Sequence, residues 1–487
     1  MRKILMVAEK SNNGATKNYA FKFFTLKNIT NFVLFPVLAA LLSRIAYMKI
    51  PHYPFSFFFG AVLYWIIFGE LSLSRSTHFS LHRAYRYTVF SVVLFGALLN
   101  SFLPAIVGNE YALAIVPIFL SVSIITVLAG FEVGLGTGLF LSYLASVSMN
   151  FSFEHFLLNS AMVFFTVLTT RKLLRRINIA KAGFIVGIMF SAVLLTRGLI
   201  DMNLDLILIG IGLINPIISS IVTIGIIPYI ESVSRIYSDV GLLELGSLSH
   251  PLLKSLSLNA PGTYYHSITL ANLSEAAAEK IGANPILARV AAYFHDIGKL
   301  KRPQYFTENQ SGNNPHNSIT PSMSNIVINE HVKRGVELAR KHRLPKLIED
   351  VIREHHGTRI KKYFYHKAKE EREDSKDEYR YPGPKPQFPE SGIIMLADST
   401  EAASKSIKEP TPGKIHELVE DIVNGVYNER QLDECGLTLS DLEKIIEAFT
   451  YVLTNMNRGR IEYPKEKIDK VVSSNEDSGD KQDKNKN

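Results

Sequence analysis

Seven of the histidines and aspartates of this sequence stand in a regular order that could hold divalent metals. His266 precedes the pair His295-Asp296 by 29 residues, and His331 follows His295 by 36. The pair His355-His356 comes next, and Asp398 lies 42 residues beyond His356. Five imidazoles and two carboxylates suit a pair of divalent first-row ions and favour Fe or Mn over structural Zn. Two such ions about 3.5–4 Å apart can activate a water and clamp a phosphate for in-line attack. A carboxylate can offer one oxygen to each ion, which makes Asp296 the natural bridge. The single cysteine, Cys435, supports neither a disulfide framework nor a thiolate metal site, and fits a reducing compartment for the soluble half.

Neighbouring residues on a regular helix point about 100° apart. Each ligand pair can therefore face one site only where a helix ends, and Gly298 and Gly357, just after the two pairs, are expected to supply those ends. Around them the sequence reads helix after helix, over 267–281, 285–295, 324–342, 344–356, 393–406 and 440–456. The last opens with Ser440 and Glu443 in capping-box spacing. No convincing strand pattern intervenes, so the expected fold class is all-α. His250, His316, His342, His366 and His416 are assigned structural or solvated roles, with His316 a partial exception.

Composition changes near residue 230. Before it stand eight apolar blocks, at 29–48, 53–73, 88–107, 111–130, 133–150, 155–170, 180–197 and 205–228, near the ~20 residues that a membrane span needs. Lys and Arg gather before the first block (Arg2, Lys3, Lys10, Lys17, Lys22, Lys27). They gather again after the second (Arg75, Arg83, Arg86) and after the sixth (Arg171, Lys172, Arg175, Arg176). Counted from a cytoplasmic N-terminus, all three groups fall inside. An even number of spans then returns the C-terminal half to the cytoplasm. The first 28 residues are too long and polar for a cleaved signal peptide. Within the blocks the polar residues are few, chiefly Asn100 and Asn215. No ionisable pair lies mid-span, which disfavours a transporter and leaves an anchor or sensor. The net charge of +8 sits largely beside apolar blocks, pointing to membrane lipid and not to a DNA or RNA polymer.

The expected architecture is a transmembrane helix bundle followed by a cytosolic all-helical domain. It comprises a cytoplasmic segment 1–28, a bundle 29–228, a linker helix 229–258, a metal-binding domain 259–463 and a disordered tail 464–487. The linker rests on Val233, Ile236, Val240 and Leu243, which keep a helical period. The stretch 367–389 is first charged and then Pro-rich, and reads as a flexible excursion between two ligand-bearing helices.

The residues between the ligands carry a further likeness. LELGSLSHPLLKSL, APGTYYHS, ANLSEAAAEKIGAN, AYFHDIGKLKRPQYFTENQ, NPHNSITPSMS, EHHGTRIKKYFYHKAKE, YRYPGPKP and IIMLADSTEAAS resemble the bacterial seven-transmembrane HD family of PgpH-type cyclic di-AMP phosphodiesterases. The resemblance implies a di-iron or di-manganese site that opens cyclic di-AMP to pApA. It implies one metal on His266, His295, Asp296 and Asp398, and the other on Asp296, His331, His355 and His356. Lys299 would face the scissile phosphate beside Asp296, with Arg302 and His316 as further substrate contacts. It also implies a bacterial inner-membrane location, and leaves open a homo-oligomer.

Three departures stand out. Family members usually carry a histidine where this chain has Tyr265, although the ligand His266 is kept. Larger members insert an extracellular domain after the first span, whereas residues 49–53 alone separate the first two here. The sequence GTRIKKYFYHK stands where a related class acting on cyclic di-GMP has a GYP signature. The alternatives are an HD-type hydrolase of another nucleotide phosphoester and a membrane receptor that binds nucleotide without turnover.

Overall fold

The computed structural model describes residues 30–43, 54–70, 73, 83–107, 111–148, 152–371 and 376–456. The expected segment 1–28 and tail 464–487 lie outside them. The described chain is all-α: it contains no strand, only an isolated bridge between Ile360 and Arg380.

Among the described residues, eight apolar helices of eight or more residues come first: α1 (Phe35–Leu42), α2 (Pro54–Tyr64), α3 (Arg83–Val107), α4 (Ile118–Ala129), α5 (Phe131–Ser148), α6 (Phe153–Thr170), α7 (Ile177–Ile200) and α8 (Leu206–Ser234), with a short helical turn, Ala112–Ile115, just before α4. Among the described residues, five helical stretches are long and apolar enough to cross a membrane, and Phe57–Glu70 and Phe131–Val147 are shorter apolar helices. Helices α7 and α8 pack at close range because glycines face the partner backbone. A Cβ on Gly187 would stand 2.5 Å from the Leu213 carbonyl oxygen, the small-residue packing expected where lipid supplies no hydrophobic drive. Asn215 is structural. Its amide donates to the carbonyls of Ala114 and Val116 at 2.7 and 3.0 Å, satisfying backbone groups freed where Pro117 interrupts the helix before α4.

The segment expected as one linker helix is broken. Helix α8 runs on to Ser234 and stops at Arg235, which adopts φ +58°. Two short helices follow, α9 (Asp239–Leu245) and α10 (Pro251–Asn259), capped by Ser238 and His250. The turn at Arg235 ties the bundle to the soluble domain. Its Nε donates to the Leu344 carbonyl and its Nη2 to Glu349 Oε2, both at 2.8 Å. A second tie is Arg176, between α6 and α7, which donates to Glu231 at the end of α8 and to both oxygens of Glu244 on α9.

The soluble domain continues with α11 (Pro261–Ile281), α12 (Pro285–Phe294), α13 (Pro321–Lys341), α14 (Lys346–Glu354), α15 (Lys362–Glu371), α16 (Pro389–Ser404), α17 (Pro412–Asn428) and α18 (Leu439–Met456). Helices α12 and α16 form its centre: Val290 to Phe294 and Ile393 to Ala397 are all buried. Burying each large apolar side chain contributes about 1.5–3 kcal/mol, so these two helices, which place His295 and Asp296 just past the end of α12 and Asp398 within α16, are firmly held. The capping box of α18 lies two residues earlier than expected: Thr438 Oγ1 accepts from Asp441 N, and the Asp441 carboxylate accepts from Thr438 N.

Candidate metal centre

Both ligand pairs sit just beyond a helix end. Helix α12 stops at Phe294, so His295 and Asp296 occupy the turn into a short 3-10 helix, Ile297–Lys301. Helix α14 stops at Glu354, and Gly357 at φ +54° turns the chain after His355 and His356, a conformation glycine adopts without steric cost. Gly298 acts differently from the expected cap. A Cβ there would stand 1.8 Å from the His331 carbonyl oxygen, so its bare backbone lets the 3-10 turn press against α13 and bring Asp296 to His331.

All seven predicted ligands converge. His266, His295 and Asp296 form one group of mutually close ligand atoms, and His331, His355 and His356 form another. Asp296 lies between them. Its Oδ2 is 3.1 Å from His295 Nε2 and 4.0 Å from His266 Nε2, while its Oδ1 is 3.4 Å from His331 Nε2 and 3.7 Å from His355 Nε2. Asp398 reaches both groups, at 3.2 Å from His266 Nε2 and 3.7 Å from His356 Nδ1.

The outer partners fix the rings. His295, His331 and His355 each turn Nδ1 toward a carbonyl three residues earlier, those of Ala292, Ile328 and Ile352. Such contacts set the tautomer that leaves Nε2 free to ligate. His266 uses Glu401 instead, with Nδ1 at 2.7 Å from Oε2. His356 stacks on Tyr381, ring centroids 4.1 Å apart. Lys361 Nζ lies 3.9 Å from the Tyr381 centroid and donates to Asn329 at 3.1 Å. Within the stretch expected as a flexible excursion, Tyr381 is thus packed onto the site.

Electrostatics suit cations. Burial lowers His331 to about 4 and His355 to about 3, and holds His356 well below its usual value, so these imidazoles are neutral at neutral pH with a lone pair to give. Burial alone would raise Asp296, but Lys299 and His295 hold it well below the carboxylate range. Burial opposes charge on His266, yet its hydrogen bonds to Asp398 and Glu401 raise it to about 9, a measure of the negative charge facing its two ring nitrogens. His295 Nε2 and Asp296 Oδ1 are shut off from water and make no hydrogen bond among the described residues. Two buried lone-pair atoms without a hydrogen-bond donor at the centre of the cluster fit metal coordination, since a buried polar atom without a partner is costly.

Lys299 places Nζ 2.7 Å from Asp296 Oδ2 and 2.7 Å from Glu308 Oε1. His266, Asp398, Lys299 and Glu308 border an open cleft of about 840 Å³. The other two substrate-contact candidates lie elsewhere. Arg302 is half-exposed, with its guanidinium 4.0 Å from Glu330. His316 is buried against Tyr305 and Phe364, its Nε2 3.0 Å from the Tyr305 carbonyl. Sequence reasoning missed Glu401, Glu308 and Tyr381. Glu401 carried a signal, since it follows Asp398 by three residues and so shares its helix face.

Residues 263–403 match the model of the HD domain, and residues 55–238 match that of the 7TM receptor with intracellular HD hydrolase. The cyclic-di-AMP phosphodiesterase PgpH of Bacillus subtilis is 45% identical over 255 residues, which cover 52% of this chain and 36% of that protein. The enzyme of the same name from Listeria monocytogenes is 40% identical over 309 residues, 62% of this chain and 43% of that protein. The chain therefore covers less than half the length of either relative. The crystal structure of the L. monocytogenes PgpH HD domain in complex with cyclic-di-AMP is similar at 45% identity and a TM-score of 0.42, over 44% of this chain and all of that one.

Proposed function

We propose, from the premise that this chain joins the two modules of the seven-transmembrane HD family, that it is a membrane-anchored, metal-dependent phosphodiesterase that opens cyclic di-AMP to pApA. The observation that carries the reading is the placement of Asp296 between two ligand groups, one carboxylate oxygen toward each. The substrate is that named for the two PgpH relatives. The remaining alternatives, another nucleotide phosphoester or binding without turnover, have no comparable support.

His266, His295, Asp296 and Asp398 would hold one divalent ion, and Asp296, His331, His355 and His356 the other. Manganese or iron suits this imidazole and carboxylate set without thiolate. Such ions, when bound, polarise a phosphoryl oxygen and make water a stronger nucleophile at neutral pH. The chain's own part is positioning and charge. Backbone carbonyls and Glu401 hold four imidazoles in one tautomer each, and Tyr381 holds the ring plane of the fifth. Lys299 is kept charged: burial works against its ammonium, but Asp296 and Glu308 outweigh it. That ammonium borders the cleft and meets the charge that builds on the phosphate oxygens during attack.

The reading extends to placement. The bundle sits in the bacterial cell membrane, with the HD domain and N-terminus in the cytoplasm where the basic loops belong. The test is turnover by the full-length protein in detergent, loaded with Mn or Fe under anaerobic conditions, on cyclic di-AMP, cyclic di-GMP and a simple phosphodiester. Release of pApA from cyclic di-AMP in clear preference to the others supports the reading; preference for another phosphoester, or no turnover with both metals bound, refutes it.

A further inference from the structure

One tyrosine ring, Tyr265, lines the cleft beside the candidate ligands, and nothing in the metal chemistry uses it. Gly262, Tyr265, His266 and Thr269 share the face of α11 that borders the 840 Å³ space, at the spacing that places residues on one side of a helix. His266 is 6% exposed, whereas Tyr265 beside it is 69% exposed. One residue's turn of the helix sets the ring beside the ligand and not over it. Tyr264 contacts it edge-on, centroids 5.7 Å apart, which leaves the ring supported at its edge. Gly262, one turn earlier, puts no side chain between ring and cleft. Its own lack of a Cβ lets Glu308 close down on the helix, since a Cβ there would stand 1.8 Å from the Glu308 carbonyl oxygen.

We propose that Tyr265 is the platform on which a purine base of the substrate stacks while its phosphate lies at the metal centre. A substrate phosphate at His266 and Asp398 leaves the attached nucleoside to lie along the cleft wall, and the wall next to His266 is this ring. Every base has a flat face that stacks on an exposed aromatic side chain. The ring thus recognises the nucleoside half of the substrate, separately from the metal ligands that recognise its phosphate. The inference rests on the functional reading above.

The test uses the full-length, metal-loaded protein as wild type, Tyr265→Ala and Tyr265→Phe. The readouts are KM and kcat on cyclic di-AMP, metal content, and the inhibition constant of inorganic phosphate, a probe with no base. Loss of one base stack raises KM roughly tenfold in Tyr265→Ala, while kcat, metal content and phosphate inhibition stay close to wild type. Tyr265→Phe, which keeps the ring, restores the KM. An unchanged KM in Tyr265→Ala overturns the inference. So does a loss of metal or of phosphate inhibition in parallel with KM, because the residue then acts on the ligands and not on the base. A wild type that is inactive on cyclic di-AMP in the same preparation overturns the functional reading and takes this inference with it. An active wild type with an indifferent Tyr265→Ala overturns the inference alone.

Discussion

Nδ1 of His266 stands 2.7 Å from Oε2 of Glu401, whose other oxygen meets Lys405 Nζ at 2.8 Å. The carboxylate orients the imidazole and makes it a better donor, as such outer partners do in metal sites. Glu401→Ala is expected to weaken metal binding at the His266 group by about 10–100-fold. Metal titration of the full-length protein checks this, and an unchanged affinity counts against the role given to Glu401.

Lys299 binds no metal yet touches Asp296. Lys299→Ala should retain both ions and lose charge stabilisation of the transition state, slowing turnover about 10²–10³-fold. Metal content and kcat on the same preparation decide it. A fully active variant removes Lys299 from the site, and a metal-free one makes it a support for Asp296 instead.

Glu349 joins the last apolar helix to the soluble domain. It is 1% exposed and accepts from Arg235, Arg340, Lys346 and Arg353. Burial would raise its pKa, but these cations lower it to about 2. A depressed folded value means that the ionised carboxylate stabilises the fold fully above its unfolded value, about 4.3. That stability is lost as pH falls through about 2. Glu349→Gln should therefore destabilise the protein at pH 7 by about 3 kcal/mol, with the gap to wild type closing in acid. Thermal melts across pH check it, and a pH-independent gap contradicts the ion-pair account.

Arg176 bonds to Glu231 and Glu244, so the loop after α6 and the soluble domain share one side of the membrane. Basic loops favour the cytoplasm. A green fluorescent protein joined after residue 259 should fluoresce, and an alkaline phosphatase joined there should be inactive. The opposite pair of results reverses the topology.

The seven candidate ligands stood out because metal chemistry demands particular residue types in order, and the helices that carry them announce themselves by periodicity. What escaped depended on single side chains meeting far along the chain. Val233, Ile236, Val240 and Leu243 keep a helical period, but a periodic window does not register that Arg235 turns left-handed to reach Glu349 and Leu344. The Pro-rich run before α16 is the loop its sequence suggests, but only the fold shows Tyr381 in it stacked on His356, 25 residues earlier. Glu401 reads as part of a solvated helix face until α11 brings His266 against it. The capping box of α18 was misplaced by two residues because Ser440 and Thr438 both begin an acceptable pattern.

The central claim is that Asp296 is shared by two metals, and metal content measured with turnover on Asp296→Ala tests it most directly. Full-length wild type purified without oxygen should carry about two ions per chain and open cyclic di-AMP. Asp296→Ala, folded by circular dichroism, should lose metal from both groups and show no turnover, because removing the shared ligand disrupts both sites. A wild type with one ion or none, or an Asp296→Ala variant that keeps two ions and near-normal turnover, contradicts it.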